Sequence, residues 1–171
     1  FGDREAIRRF IAYARGGNEA KNTAAKRFYL YAAWPRLEGI EAHEDKSLFY
    51  KVRDPKAFEG KNIAILGGGD SALDWVLELQ PIASSLTLVH RRVDYRGAPA
   101  SVEKMKALVE AGKMREIIGK VTDYRADDEG ISGITVTTLD GEEEAVDCEA
   151  LLVFWGLAPK LGPIAEWGLD L

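Results

Sequence analysis

The sequence predicts an α/β fold, in which a parallel sheet continues into an antiparallel β-meander and is preceded by a helical segment. Two short apolar runs at 62–66 and 86–89 flank an amphipathic stretch. This is the pattern of a strand–helix–strand unit whose strands are buried on both faces. After residue 119, apolar residues recur at every second position between turns that contain Gly and Asp, as in antiparallel hairpins.

The composition is that of a globular protein with a core of its own. Of 171 residues, 46% are hydrophobic and 30% are charged, so no disulfide or metal is needed for stability. The net charge of −5 argues against a nucleic-acid-binding surface, and no stretch approaches the roughly 18 apolar residues of a membrane helix. The single cysteine, Cys148, excludes an internal disulfide, and we expect it to be buried at the start of a strand.

The start of the chain lacks the layout of a signal peptide, and it begins with Phe1 rather than Met. We therefore interpret the chain as a mature or excised fragment. We expect a cytoplasmic location and neither a nucleic-acid nor a membrane partner.

Residues 1–34 are predicted to form a helical appendage. Apolar residues recur at helical spacing over 6–14 and again over 24–31, with a glycine pair at 16–17 between them. Two helices of this length need another surface to pack on, and an interface with a partner or a second copy in a homodimer is one alternative. Design, grafting and strong divergence are alternative origins of this segment.

Residues 35–60 are predicted to be a linker with a short extended segment at 47–52, because Pro35 and Pro55 both disfavour helix before them. The main domain is predicted over 61–171. Its parallel strands are expected at 62–66, 86–89, 116–118 and 150–154, its helices at 70–79 and 99–111, and its meander strands at 120–126, 131–139 and 144–146.

A glycine loop lies between the first of these strands and the first of these helices. It matches G-x-G-x-x-[GA] in Gly67, Gly68, Gly69, Asp70, Ser71 and Ala72. The first glycine of the pattern allows a tight turn, the second lets the backbone approach a pyrophosphate, and Ala72 keeps helix and strand close. Such a turn alone also occurs for packing, but a strand before it and a helix after it favour a dinucleotide site at the helix start in a Rossmann-like domain.

Three arginines follow the next strand, where an NAD site usually has an acidic residue for the ribose hydroxyl. The chain has His90, Arg91 and Arg92 there, and then Arg96. Guanidinium groups bind a 2′-phosphate through paired hydrogen bonds. The alternative is a solvated turn, but the position one unit after the glycine loop favours NADP(H). We predict Arg91 and Arg96 on the phosphate, with His90 and Arg92 beside them.

Other candidates are weaker. Gly156 follows the last strand and would let the chain pass near a cofactor, although a simple strand-end turn explains it equally well. Trp155 beside it is a second candidate contact. The acidic run 127–129 is expected to be a solvated hairpin tip rather than a metal site. No catalytic residue and no metal ligand is predicted.

The two motifs resemble the NADPH domain of flavoprotein pyridine-nucleotide reductases of the thioredoxin-reductase type. Their GGG-x-[ST]-A loop and HRR-x-x-x-R signature match residues 67–72 and 90–96. Within that superfamily the chain is most similar to ferredoxin/flavodoxin–NADP reductases, on the segments 54–61, 67–75 and 161–169. Where thioredoxin reductases carry their CxxC pair, this chain has the residues 49–53 and no cysteine, and this departure excludes dithiol chemistry.

The resemblance implies a domain that binds NADP(H) and positions the nicotinamide for hydride transfer to FAD, with ferredoxin or flavodoxin as partner of the intact enzyme. We find no counterpart of the family's two FAD-binding portions in the sequence, so we expect binding without turnover by this chain alone. The alternatives are an isolated or redesigned NADP-binding module with no catalytic activity, and a helix-mediated interaction protein with a vestigial site. Titration with NADPH and NADH separates them.

Overall fold

The structure, a computed structural model, describes residues 37–154. The predictions made for residues 1–36 and 155–171 lie outside the described residues. They include the N-terminal helices, the candidate contacts Trp155 and Gly156, and the segment 161–169.

The described residues form a mixed α/β structure built on one curled sheet. The strands are β1 (Leu48–Phe49), β2 (Asn62–Leu66), β3 (Ser85–His90), β4 (Arg115–Asp127), β5 (Gly130–Thr138), β6 (Glu143–Asp147) and β7 (Ala150–Val153). The α-helices are α1 (Asp70–Leu79) and α2 (Pro99–Glu110), and two short 3-10 helices span Ile40–His43 and Pro55–Phe58. Between residues 37 and 154, no helix is both long enough and apolar enough to cross a bilayer.

The sheet has the strand order β1-β7-β2-β3-β4-β5-β6. β1, β7, β2, β3 and the start of β4 run parallel, and the rest of β4 pairs with β5 and β6 in antiparallel fashion. Leu66 at the end of β2 lies beside Val89 on one side and Val153 on the other. The loops that follow β2 and β3 therefore leave the same edge of the sheet side by side, where open α/β sheets bind their ligands.

The helices cover one face of the parallel strands. The apolar side of α1, which includes Leu73 and Val76, packs in one cluster with Ile63 and Ile65 of β2 and with Met105 of α2. Both Ile63 and Ile65 are at most 1% exposed, and burial of one such side chain stabilises the fold by about 1.5–3 kcal/mol. This packing fixes the start of α1 against the end of β2. The predicted parallel sheet with its meander is confirmed.

β4 differs from the prediction of separate strands at 116–118 and 120–126, which was wrong. It runs unbroken through Gly119 and changes partner there, from β3 to β5. A methyl group on Gly119 would lie 2.5 Å from the carbonyl oxygen of Thr137. The glycine therefore allows a close approach of β5 and does not end the strand.

The β4–β5 hairpin reaches back to the segment that precedes β1. The hydroxyl of Ser47 accepts a hydrogen bond from the buried N–H of Ile131 at 2.8 Å, and the hydroxyl of Tyr124 donates to the carbonyl of Glu38 at 3.1 Å. The carbonyl of Ser47 also accepts from Leu151 N–H in β7 at 2.7 Å. Ser47 thus joins the meander to the parallel half of the sheet.

Cys148 is buried, with 1% of its surface exposed, immediately before β7. This confirms the expectation for the residue. Burial raises the pKa of the Cys148 thiol to about 12. The charge of Arg125 lowers this pKa by a smaller amount, and the neighbouring carboxylates of Asp147 and Glu149 raise it. The acidic run at 127–129 is exposed and forms the turn between β4 and β5, where Asp127 accepts the N–H groups of Glu129 and Gly130.

Candidate functional site

The glycine loop passes between the end of β7 and the start of α1. Gly67 has a φ of 149°, a conformation that favours glycine. A methyl group on Gly67 would overlap the carbonyl of Phe154 and lie 2.9 Å from the Cβ atom of Ala72. Close packing at this turn thus requires glycine at position 67, and Ala72 is one of the residues that leave no room for a side chain there.

The start of α1 is open. Gly69 precedes the helix with an extended backbone and no capping side chain, and a methyl group on it would meet nothing within 4 Å. Among residues 37–154, no acceptor binds the N–H groups of Gly69, Asp70 or Ser71. Free N–H groups and the helix dipole make such an end attractive to anions.

The residues after β3 fold back onto the glycine loop. We call residues 91–97 the arginine loop. The N–H of Arg96 donates to the carbonyl of Gly68 at 2.8 Å. Gly97 packs on α1 so closely that a methyl group on it would overlap the side chain of Leu73. The two sequence motifs, predicted separately, are therefore joined by backbone contacts.

His90 lies beneath this junction and makes three contacts within it. Its imidazole occupies the space that a methyl group on Gly68 would need. The ring stacks at a tilt on Tyr95, with centroids 4.7 Å apart, and its Nε2 atom is 3.0 Å from the carbonyl oxygen of Asp94. A carbonyl only accepts, so Nε2 carries the proton of that bond. The sequence pattern predicts His90 beside the 2′-phosphate. In the structure the His90 ring contacts the glycine loop and the arginine loop.

Tyr95 anchors the arginine loop to the sheet. Its hydroxyl donates to Oε1 of Glu116 in β4 at 2.5 Å. Burial raises the pKa of Tyr95 above its ordinary value, and the hydrogen bond and charge of Glu116 raise it further. The sequence pattern indicates no role for Tyr95, because it does not show that Glu116, 21 residues later, lies next to it.

The three arginines of the site are exposed. In the part of the chain that the structure describes, Arg91, Arg92 and Arg96 form no ion pair. By contrast, Arg115 pairs with Glu144 at 2.9 Å, and Arg125 pairs with Asp147. Within residues 37–154 these guanidinium groups are therefore not engaged in ion pairs, which suits an anion site.

The donor set suits a dinucleotide that carries a third phosphate. Open N–H groups at the start of α1 could hold a pyrophosphate, and guanidinium groups on the adjoining loop could bind a separate phosphate by paired hydrogen bonds. The candidate residues between 67 and 96 are thus brought to one edge of the sheet. The candidate Gly156 lies outside the described residues.

In sequence, the chain is similar to bacterial proteins named ferredoxin–NADP reductase, although no protein-family model matches it. It is 50% identical over 137 residues to that of Parvibaculum lavamentivorans, which is 80% of this chain and 40% of the relative. It is 52% identical over 136 residues to ferredoxin–NADP reductase 2 of Cupriavidus necator, 80% of this chain and 37% of the relative. The chain thus spans about two fifths of the length of these relatives.

In structure, the chain is similar to thioredoxin reductases. That of Lactococcus lactis aligns with a TM-score of 0.65 and 24% identity over 80% of this chain and 46% of the other. That of T. acidophilum aligns with a TM-score of 0.65 and 21% identity over 81% and 46%. A bacillithiol disulfide reductase from Staphylococcus aureus aligns with a TM-score of 0.63 and 23% identity, over 82% of this chain and 42% of the other. At these identities the likeness establishes the fold.

Proposed function

Over the 80% of its length that the relatives match, the chain belongs to the ferredoxin–NADP reductase family, and we propose that it is the NADP(H)-binding domain of such a reductase. The observation that carries the proposal is the junction of two motifs. The arginine loop, with Arg91, Arg92 and Arg96 unpaired among residues 37–154, is bonded to the glycine loop through Arg96 and Gly68. The names of the relatives, which include NADP, agree with it.

In this proposal the residues of the chain bind and orient the nucleotide. The N–H groups of Gly69, Asp70 and Ser71 bind the pyrophosphate. Arg91 and Arg96 bind the 2′-phosphate, with Arg92 beside them. Gly67, Gly68 and Ala72 shape the loop, His90 supports the arginine loop from below, and Gly156 remains a proposed contact.

The chemistry that the nucleotide supplies is hydride donation. We propose FAD, held by other parts of the whole reductase, as the acceptor, with ferredoxin or flavodoxin as the protein partner. The residues proposed here act on binding and orientation, and none is proposed as an acid, base or nucleophile. A cytoplasmic location belongs to the same proposal.

The test is a titration of the chain with NADPH and with NADH, before and after Arg91→Ala. Loss of one charged hydrogen bond to the 2′-phosphate should weaken NADPH binding by about 1.5–3 kcal/mol, which is about one to two orders of magnitude in Kd. NADH has no 2′-phosphate, so its Kd should change little.

Arg115→Ala is the matched control, because Arg115 is also an exposed arginine but is paired with Glu144 at the opposite end of the parallel strands. It should leave both Kd values unchanged. Equal weakening of NADPH and NADH by Arg91→Ala would remove the 2′-phosphate assignment. Failure of the unaltered chain to bind either nucleotide would exclude the proposed function.

A further inference from the structure

The side chain of Asp70 makes a contact that the glycine motif does not explain. Asp70 is the first residue of α1, and its Oδ1 atom accepts the N–H of Ala98, 28 residues later, at 2.7 Å. Within residues 37–154, its carboxylate accepts no N–H group of α1 itself. The side chain is therefore directed to another part of the site.

Ala98 lies where the arginine loop ends and α2 begins. It precedes the first helical residue, Pro99, and the start of α2 has no capping side chain of its own. The carboxylate of Asp70 thus binds the backbone N–H at this junction, near the positive end of the α2 dipole. It connects the starts of the two helices.

Two hydrogen bonds hold the end of the arginine loop. Arg96 N–H donates to Gly68 at 2.8 Å on one side of Gly97, and Ala98 N–H donates to Asp70 at 2.7 Å on the other. Gly97 itself packs against Leu73. The bond from Ala98 to Asp70 thus adds a second hydrogen bond, two residues after Arg96, that holds this part of the backbone at the start of α1.

The charge of Asp70 has an effect of its own. A carboxylate at the start of α1 repels a pyrophosphate that binds to the same helix end. An asparagine oxygen would accept the same hydrogen bond without that charge. Both NADPH and NADH carry the pyrophosphate, whereas only NADPH carries the 2′-phosphate. The charge of Asp70 therefore affects the affinity for both nucleotides, and its hydrogen bond affects the preference for NADPH over NADH.

We infer that Asp70 is a positioning residue for NADPH specificity: by accepting the N–H of Ala98, its side chain holds Arg96 where it binds the 2′-phosphate. The inference rests on the proposed function. It assigns to the side chain of Asp70 a role separate from that of its backbone N–H at the pyrophosphate.

The experiment measures the Kd of NADPH and of NADH for the 171-residue chain and its variants. Asp70→Ala should reduce the preference for NADPH about tenfold, as expected for loss of one hydrogen bond to a charged group. Asp70→Asn should retain the preference and bind both nucleotides more tightly. Asp74→Ala removes an exposed carboxylate one turn further along α1 and should leave the preference unchanged.

A second variant removes the donor in place of the acceptor. Ala98 has a φ of −56°, which proline can adopt, and proline has no N–H. Ala98→Pro should therefore reduce the preference as Asp70→Ala does, and the double variant should be no worse than either single variant. This variant also tests the inference should Asp70→Ala fail to fold.

The outcomes are distinguishable. A chain that does not prefer NADPH before any substitution contradicts the proposed function. A chain that prefers NADPH equally with and without Asp70→Ala contradicts the inference alone, and so does an equal loss of preference in Asp70→Asn. A merely structural role would lower the Tm of Asp70→Ala and leave its nucleotide preference unchanged.

Discussion

Gly68 and Gly69 are adjacent in the glycine loop and are glycine for different reasons. A methyl group on Gly68 would overlap the His90 ring, whereas one on Gly69 would meet nothing within 4 Å. The motif explains Gly69 through the approach of a pyrophosphate. Gly68 occupies the variable position of that motif, and its need for glycine follows from the chain itself.

We predict that Gly68→Ala destabilises the fold by about 1–3 kcal/mol, because the His90 ring and the loop that it supports must move. Gly69→Ala, the matched control, should change stability by less than about 0.5 kcal/mol and weaken NADPH and NADH binding equally. Urea unfolding and nucleotide titration measure both effects. Equal stability of the two variants would contradict the role assigned to His90.

At the scale of single residues, the sequence predicts the roles of residues that belong to one short motif. Gly67 and Ala72 followed from the pattern and lie in the close packing that it requires. The bonds from Asp70 to Ala98 and from Tyr95 to Glu116 did not follow. Each depends on how a loop folds back over 21–28 residues, which local spacing does not encode.

At the scale of elements, the buried strands and helices were the most predictable parts. The bounds of α1 and β2 agree with the prediction, because a glycine loop and a proline limit the helix and a continuous apolar run marks the strand. The unbroken course of β4 was missed. Gly119 is a strand breaker by local propensity, but the close approach of β5 requires it there.

Ser47 connects elements that are far apart in the chain, and its hydroxyl is the acceptor of the buried Ile131 N–H. Ser47→Ala leaves this N–H without its acceptor. We predict a loss of about 1–3 kcal/mol in the free energy of unfolding, which urea titration measures. Ser132→Ala, on the same hairpin but exposed, should cost little. A loss below about 0.5 kcal/mol for Ser47→Ala would show that the bond does not join the two halves.

At the scale of the whole molecule, the α/β class and the parallel sheet with its meander followed from apolar periodicity. The position of β1 did not. Its two residues pair with β7, about a hundred residues later in the chain. The local sequence pattern does not indicate a pairing between segments so far apart. The local pattern also does not indicate the curl of the sheet, which places the β4–β5 hairpin next to Ser47.

The whole fold should lose stability in alkali. The folded state raises the pKa of Cys148 from 9.0 to about 12, so above pH 9 the unfolded chain binds fewer protons than the folded chain. The free energy of unfolding should therefore fall between pH 9 and 12, by about 1.4 kcal/mol per pH unit from this group. The raised pKa of Tyr95 acts in the same direction above pH 10.

Urea unfolding from pH 7 to 11 measures this decline, with Cys148→Ala as the comparison. The variant loses packing equally at every pH but lacks the thiol, so its stability should decline less steeply above pH 9. Parallel curves for the two proteins would contradict the raised pKa.

The order of the strands has a consequence for how the chain is made. β7 is the last strand in sequence among the described elements, yet it lies between β1 and β2. During synthesis the edge of β2 stays open, and β1 stays without a neighbour in the sheet, until residues 150–153 emerge from the ribosome. Gly67 rests against the carbonyl of Phe154, just after that strand. The glycine loop is therefore translated before β7 and can take its final shape only after β7 has joined the sheet.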